Sequence, residues 1–108
     1  PCSSHSVKPS HDYCRNYYTL ADDGLAMPWH GRVWLNPPFA RGEVNKWIAK
    51  LAEHDNGIAL VTSYFTSSWF QNNPPLGVFL LADRPRYIVP KTDKATVTGR
   101  YPSMLMSY

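Results

Sequence analysis

The sequence predicts a small α/β domain built on one mixed β-sheet. Residues 32–35 and 58–62 are short apolar runs typical of strands, and residues 43–54 between them carry a helical pattern. A strand, a helix and a second strand in this order form a βαβ unit, whose two strands are parallel. Further strands that would complete a mixed sheet are predicted at residues 78–82, 86–89 and 102–108. The 108 residues suffice for one domain with a single core.

The first residues, 1–11, are rich in Ser, His and Pro without any period, which is typical of a loop. In and just after this segment lie Cys2, His5, His11 and Cys14, the ligand types of a structural zinc site. Only five residues separate the two Cys/His pairs, which is fewer than zinc modules usually have. A loop is therefore the favoured interpretation, with a zinc knuckle as the alternative, and two cysteines imply no disulfide framework.

Residues 15–20 form a strand candidate because they contain aromatic and β-branched side chains. Asp22, Asp23 and Gly24 follow directly. This triplet is ordinary turn chemistry, and its two carboxylates are also suited to accept hydrogen bonds from a ligand. The residues alone leave both interpretations open.

The helix predicted at residues 43–54 has apolar residues at i, i+3, i+4, i+7 and i+8. This stripe consists of Val44, Trp47, Ile48, Leu51 and Ala52. Glu43 in the first turn and Lys50 nearer the end complement the helix dipole, and Asn56-Gly57 ends the helix. Residues 57–62 are continuously apolar, which predicts a parallel strand buried on both faces. A short helix with a hydroxyl cap is predicted at residues 66–70.

Positive charge is concentrated late in the chain. The residues concerned are Arg84, Arg86, Lys91, Lys94 and Arg100. Such a cluster suits contact with phosphates, but a solvated surface is the favoured interpretation. The net charge of +3 and the pI near 9.0 suit a polyanionic partner without establishing one. The longest apolar run, near residues 77–82, is far shorter than the ~20 residues that span a bilayer, so no membrane segment is predicted and the cytoplasm is the default location.

The most informative stretch is VWLNPPF, which runs from Val33 to Phe39. Each proline removes a backbone N–H and disfavours the helical conformation in the residue before it, so Asn36 and Pro37 are predicted to lie in a stiff, extended loop. The Asn36 side-chain oxygen and the Pro37 carbonyl would be left as acceptors beneath the ring of Phe39. Two acceptors beneath a flat ring suit a planar amino group that donates two hydrogen bonds.

The tripeptide occurs a second time, as Asn73-Pro74-Pro75, and is followed there by Leu76. This copy follows Gln71 and Asn72 rather than an apolar strand, and Leu76 offers no flat ring. It is therefore predicted to be a surface turn.

The first copy resembles the (Asn/Asp/Ser)-Pro-Pro-(Tyr/Phe) loop of amino-group methyltransferases. An ordered set of residues over most of the chain is similar to the adenine-specific DNA N6-methyltransferases of bacteriophages, the Dam-like phage family. The set consists of Tyr18-Thr19, Asp22-Asp23-Gly24-Leu25, Trp29, residues 33–39, Trp47, Lys50, Thr66 and Trp69-Phe70. The resemblance implies a Rossmann-like class I methyltransferase sheet, S-adenosyl-L-methionine as methyl donor and DNA as partner. It also implies the cytoplasm of a phage's bacterial host, or of a bacterium carrying a prophage.

The resemblance further assigns roles to individual residues. The catalytic residues would be Asn36, Pro37, Pro38 and Phe39. They would hold the N6 amino group of a flipped adenine that stacks on Phe39. Asp22 and Asp23 would bind the methyl donor, Thr66 and Trp69 would lie near the substrate, and no metal ion is expected.

The family pattern normally opens with a donor-binding strand, a Gly-containing turn and an acidic residue, and no segment of the sequence matches them. We therefore expect one partial methyltransferase-like domain over residues 1–108, truncated at its N-terminus and lacking the first strand. Residues 32–35 would then form an open sheet edge, so self-association into a homo-oligomer is expected. Donor binding by the 108 residues alone is not expected.

Three other functions fit parts of the sequence. A methyltransferase with this loop can act on another planar amino group, cytosine N4 or a protein glutamine, although stacking on Phe39 fits a base better. The second is a catalytically incomplete module that descends from such an enzyme and binds nucleic acid without transferring a methyl group. A small zinc module is the third.

Overall fold

The computed structural model describes residues 16–18, 21–40, 42–88 and 95–108. The predicted βαβ unit is present as β1 (Val33–Leu35), helix α1 (Glu43–His54) and β2 (Gly57–Thr62). β1 and β2 pair in parallel, with Leu35 opposite Ala59. The prediction of this unit is confirmed. The remaining elements are α2 (Ser68–Asn72), β3 (Gly77–Leu80), β4 (Arg86–Ile88), β5 (Ala95–Thr98) and β6 (Ser103–Ser107).

Helix α1 is held in place because its apolar stripe is part of the core. Trp47, Ile48 and Leu51 are buried. They share one core cluster with the sheet residues Val33, Leu35, Ala59, Val61, Met104 and Met106. Glycine is required where β2 begins, since a Cβ on Gly57 would lie 2.6 Å from Val33 O and 2.7 Å from Leu51 Cδ1. Asp55 caps the end of the helix: its N–H still donates to Leu51 O over 3.0 Å, and its left-handed backbone (φ 54°) turns the chain out of the helix.

The main sheet is mixed, as predicted, with the strand order β1-β2-β6-β3. β6 is antiparallel to both of its neighbours, β2 and β3. Along β2, buried and half-buried side chains alternate. Successive side chains of a strand point to opposite faces, so β2 is fully buried only on the face that carries Ala59 and Val61. The prediction that this strand is buried on both faces is wrong.

One late strand lies outside the main sheet. β4 pairs with β5 as a separate antiparallel hairpin, so the prediction that residues 86–89 join the main sheet is wrong. Because β3 and β6 are already direct neighbours, the chain that links them has no position between them. It forms the hairpin instead, closed at its base by Gly99 N, which donates to Pro85 O over 2.8 Å. The sequence prediction missed β5, although its alternating Thr96, Val97 and Thr98 favour a strand.

Several predictions concern the first twenty residues. Within the described segment 16–18, Tyr18 forms an isolated bridge, and its hydroxyl donates to Pro28 O over 2.6 Å. Asn16 and Tyr17 are not in a strand, and residues 15, 19 and 20 of the strand predicted at 15–20 lie outside the described residues. So do the four zinc candidates, Cys2, His5, His11 and Cys14.

β1 occupies one edge of the described sheet and β3 the other, and self-association through the β1 edge stays a prediction. None of the helices in the described ranges has the length and apolar character needed to cross a membrane. Nor do three or more His, Cys, Asp or Glu side chains cluster as metal ligands within those ranges.

Candidate active site

Four connections meet at one edge of the main sheet, which we call the carboxyl edge. The parallel strands β1 and β2 both end there, and so does β3, because β2 and β3 are both antiparallel to β6. Hydrogen bonds join the connections: Ser63 N donates to Pro102 O over 3.0 Å, and Leu81 N donates to Ser103 O over 3.1 Å. The carboxyl edge consists of residues 36–40, 63–67, 81–85 and 99–102. Sheets with parallel strands bind their ligands at this edge.

Asn36 is the first residue beyond β1, and its side-chain oxygen has an unusual environment. Asn36 Oδ1 is buried and has no hydrogen-bond partner. Within the described part of the chain, no other buried side-chain nitrogen or oxygen lacks a partner. Leaving such an atom unpaired costs about 1–3 kcal/mol, and folded proteins rarely tolerate it. An exception placed at the carboxyl end of a parallel strand indicates an acceptor that is reserved for a ligand.

The residues after Asn36 hold this acceptor in place and add a second one. Pro37 is fully buried, whereas Pro38 is exposed. Neither proline has a backbone N–H, and no described residue donates a hydrogen bond to the Pro37 carbonyl. Phe39 remains 45% exposed. The loop therefore combines two unpaired acceptors with a solvent-exposed flat ring, and the catalytic role of its residues stays a prediction.

The two acidic residues before Gly24 lie on an exposed turn. Asp23 Oδ1 accepts a hydrogen bond from Leu25 N over 3.2 Å. The Asp23 carbonyl accepts from Ala26 N over 2.9 Å and from Met27 N over 3.1 Å. Of the two interpretations left open by the sequence, the turn is therefore observed. A carboxylate offers about four lone-pair sites, so the bond from Leu25 leaves capacity for a ligand, and the donor-binding role of Asp22 and Asp23 stays a prediction.

Lys50 fixes this turn against helix α1. Its ammonium donates to Leu25 O and Met27 O over 2.6 Å each, and to Gly24 O over 3.4 Å. The same ammonium lies 4.8 Å from the centroid of the Trp29 ring. Lys50 lies seven residues after Glu43, which corresponds to about 10 Å of helix. The acidic turn is thus attached to α1 about 10 Å from the end at which the 36–39 loop enters the helix.

Comparison with known families identifies the chain. The model of the DNA N-6-adenine-methyltransferase (Dam) family matches residues 5–108. The chain belongs to the Dam family. No curated protein matches the chain, and no solved structure matches it either. Membership of the Dam family implies methylation of adenine N6, with DNA as the substrate.

Thr66 and Trp69, the other residues that the resemblance placed near the substrate, differ in their surroundings. Thr66 is exposed on the carboxyl edge. Trp69 is half-buried, packs against the core and contacts Phe70 edge to face, with ring centroids 6.2 Å apart. In this Dam-family structure Thr66 is accessible to solvent and Trp69 is partly occupied by its packing on the core. The substrate-binding role of both residues stays a prediction. The N-cap residue of α2 is Ser67, whose Oγ donates to Tyr64 O over 2.5 Å and accepts no hydrogen bond from the N–H groups of the helix. The hydroxyl cap predicted for the helix at residues 66–70 is therefore wrong.

Three aromatic side chains on the carboxyl edge were not recognised as site candidates from the sequence. Tyr64, Phe65 and Tyr101 are 42–48% exposed, although aromatic rings of this size are usually more deeply buried. The sequence did contain a signal for the first two, since Tyr64-Phe65 directly follows β2, where ligands bind. Tyr101 gave no such signal, because only the pairing of β6 with β2 brings it to this edge.

Proposed function

We propose that this Dam-family chain methylates N6 of adenine in DNA with S-adenosyl-L-methionine as donor, and that the loop of residues 36–39 holds the reacting amino group. The observation that carries the proposal is the buried, unpaired Asn36 Oδ1 at the carboxyl end of a parallel strand. We further propose that the four-stranded sheet corresponds to part of a Rossmann-like class I methyltransferase sheet. The mixed β1-β2-β6-β3 order supports this assignment.

The chemistry requires two acceptors because the N6 lone pair of adenine is delocalised into the ring and is a poor nucleophile. Asn36 Oδ1 and the Pro37 carbonyl each accept one N6 hydrogen, which turns the lone pair away from the ring plane. The prolines keep both oxygens in one stiff loop, so the two acceptors keep their positions relative to each other. Since Asn36 Oδ1 is buried before the base arrives, the loop has to shift locally to admit the amino group.

Phe39 supplies the surface on which the base lies. Adenine in a duplex is stacked and paired, so it has to be flipped out at a cost of a few kcal/mol. Stacking of one base on an aromatic side chain contributes about 1–3 kcal/mol, which offsets much of this cost. The exposed Phe39 ring lies three residues after Asn36 and is available for this contact. Thr66, exposed on the neighbouring connection, is a second candidate for contact with the substrate.

The residues that would hold the methyl donor are Asp22 and Asp23. Both are exposed, and their carboxylates suit the amino and hydroxyl donors of S-adenosyl-L-methionine. When bound, this cofactor supplies a methyl group attached to a positively charged sulfur. Lys50 holds the backbone of the turn, so the backbone beside these two side chains does not have to be ordered when the donor binds.

The proposal is tested on the protein together with any natural sequence that precedes residue 1. This protein is incubated with DNA and methyl-labelled donor, and the methylated nucleoside is identified after digestion of the DNA. N6-methyladenine is expected, and Asn36→Ala should form it about 10²–10³ times more slowly. Labelled N4-methylcytosine would instead show that the amino group belongs to cytosine. DNA binding without any labelled nucleoside would favour a binding module over an enzyme.

A further inference from the structure

Two exposed tyrosines form a pair on the carboxyl edge. Tyr64 is 48% exposed and Tyr101 is 45% exposed, and their ring centroids lie 5.6 Å apart. The pair is positioned by the backbone bond from Ser63 N to Pro102 O, which joins the residues next to each tyrosine. Desolvation, and secondly the neighbouring Tyr101, raise the pKa of Tyr64 above its ordinary value of 10.0, so its hydroxyl stays neutral at physiological pH. Neither ring belongs to the core cluster, so packing of the core does not account for two aromatic side chains at these positions.

Three arginines lie on or next to the connections that adjoin this aromatic pair. Arg100 is adjacent to Tyr101 in the chain, and Arg84 Nη1 donates to Arg100 O over 3.4 Å. Arg86 begins the hairpin strand β4, and all three arginines are exposed. None of the three is paired with a carboxylate within the described residues. Asp83 is the nearby acid on the same connection, so positive charge dominates this part of the edge.

We propose that Tyr64, Tyr101, Arg84 and Arg100 form a platform that holds the DNA strand beside the target adenine. Exposed rings next to guanidinium groups that are not paired with carboxylates are the combination that binds an unstacked strand, because rings stack on bases and arginines contact phosphates. The platform lies on the same edge as Asn36 and Phe39 and is contributed by the connections after β2 and β3 and before β6. The inference rests on the proposed function, since it supplies the strand from which the reacting base is flipped.

The platform is tested by measuring affinity for an adenine-containing oligonucleotide, both single-stranded and as a duplex, at several salt concentrations. The double variant Tyr64→Ala/Tyr101→Ala should bind the single strand about tenfold more weakly or worse. Tyr64→Phe/Tyr101→Phe keeps both rings and should bind like the parent. Affinity falls with salt, and in the double variant Arg84→Gln/Arg100→Gln this fall should be less steep. The magnitude of the slope of log affinity against log salt should decrease by about 2, one for each lost phosphate contact.

Matched controls come from the same chain. Phe79 lies on the outer strand β3 and is 66% exposed. Arg32 is an exposed arginine directly before β1, at the end of the sheet opposite the carboxyl edge. Phe79→Ala and Arg32→Gln should leave affinity and salt slope unchanged. Thermal unfolding of every variant separates loss of contact from loss of fold, and Arg84→Lys/Arg100→Lys should restore the salt slope because the charges return.

Methyl transfer measured in parallel separates this inference from the proposed function. A parent that methylates DNA while the platform variants bind as tightly as the parent overturns the platform alone. A parent that binds DNA through these four side chains but transfers no methyl group overturns the proposed function and leaves the platform standing. Equal loss of affinity in platform and control variants also overturns the platform.

Discussion

Asn36→Ala should abolish methyl transfer without weakening the fold. Asn36 Oδ1 has no hydrogen-bond partner, so its removal breaks no internal bond and relieves a desolvation penalty of about 1–3 kcal/mol. The truncation also removes part of a half-buried side chain, which costs on the order of 1 kcal/mol in lost packing. The two effects oppose each other. The free energy of unfolding should therefore stay within about 1 kcal/mol of the parent or rise.

The effect on activity should be much larger. Removing one preorganised hydrogen-bonding group from a transition state typically lowers kcat by about 10²–10³. Methyl incorporation into DNA, normalised to the folded fraction, measures this loss. Retention of more than a tenth of parental activity, a loss below about 1.4 kcal/mol, would refute the role of the oxygen. Destabilisation by more than about 2 kcal/mol would refute the claim that this oxygen is unpaired.

The second Asn-Pro-Pro copy provides the matched control. Asn73 Nδ2 donates to Trp69 O over 3.1 Å, so Asn73→Ala removes a real hydrogen bond that lies outside the 36–39 loop. This variant should lose about 1 kcal/mol of stability, a fall of about 4–8 °C in Tm, and keep its activity. The two alanine variants should thus show opposite patterns of activity and stability.

Three further outcomes are expected. Phe39→Ala should weaken productive base binding by about 1–3 kcal/mol, measured as kcat/KM on DNA, while Phe39→Tyr should be tolerated; equal kcat/KM in both would exclude stacking. Lys50→Met should destabilise the turn by about 1–3 kcal/mol and speed amide hydrogen exchange at Ala26 and Met27, whereas Lys46→Met, which breaks only the exposed ion pair with Glu43, should change little. Burial raises the pKa of Tyr108 to about 12, and its hydroxyl donates to Asn73 O over 2.6 Å. The pKa of Tyr108 in the folded state lies above the unfolded value of 10.0. The stabilisation of the fold by the neutral Tyr108 hydroxyl is therefore complete below pH 10 and is lost as the pH rises towards 12. The stability difference between the parent and Tyr108→Phe should shrink over that range in denaturant titrations, and a constant difference would contradict the assignment.

The parts of the fold that the sequence predicted correctly depend on local patterns. A few neighbouring residues are enough to recognise the apolar period of α1 and the apolar runs of β1 and β2. The order of these three elements then predicts a parallel pair of strands. The position of β4 depends instead on which strand becomes the neighbour of β6. The neighbour of β6 is β3, because Gly77–Leu80 pairs with Ser103–Ser107. These segments are about 25 residues apart in the chain, so no local sequence pattern predicts their pairing.

The candidate site divides in the same way. The loop of residues 36–39 was predictable because two prolines and an apolar strand constrain it locally. The Tyr64 and Tyr101 pair was not, because the rings meet only through the register of β2 with β6, in which Thr62 lies opposite Ser103. That Asn36 Oδ1 is buried and unpaired was also invisible in the sequence, since burial depends on the packing around Pro37.

The residues by which the chain resembles its family separate into two physical groups. Asn36 and Phe39 offer an acceptor and a ring to a ligand, whereas Trp29, Trp47 and Lys50 mainly contact each other and the turn. The indole N–H of Trp29 donates to Gly24 O over 2.9 Å, and its ring stacks on Trp47 with centroids 6.2 Å apart. These contacts attach the acidic turn to α1, the same helix that the 36–39 loop enters. Since a packed helix is rigid, α1 sets the separation between the candidate donor site and the candidate base site, and neither group has to touch the other for the two to stay aligned.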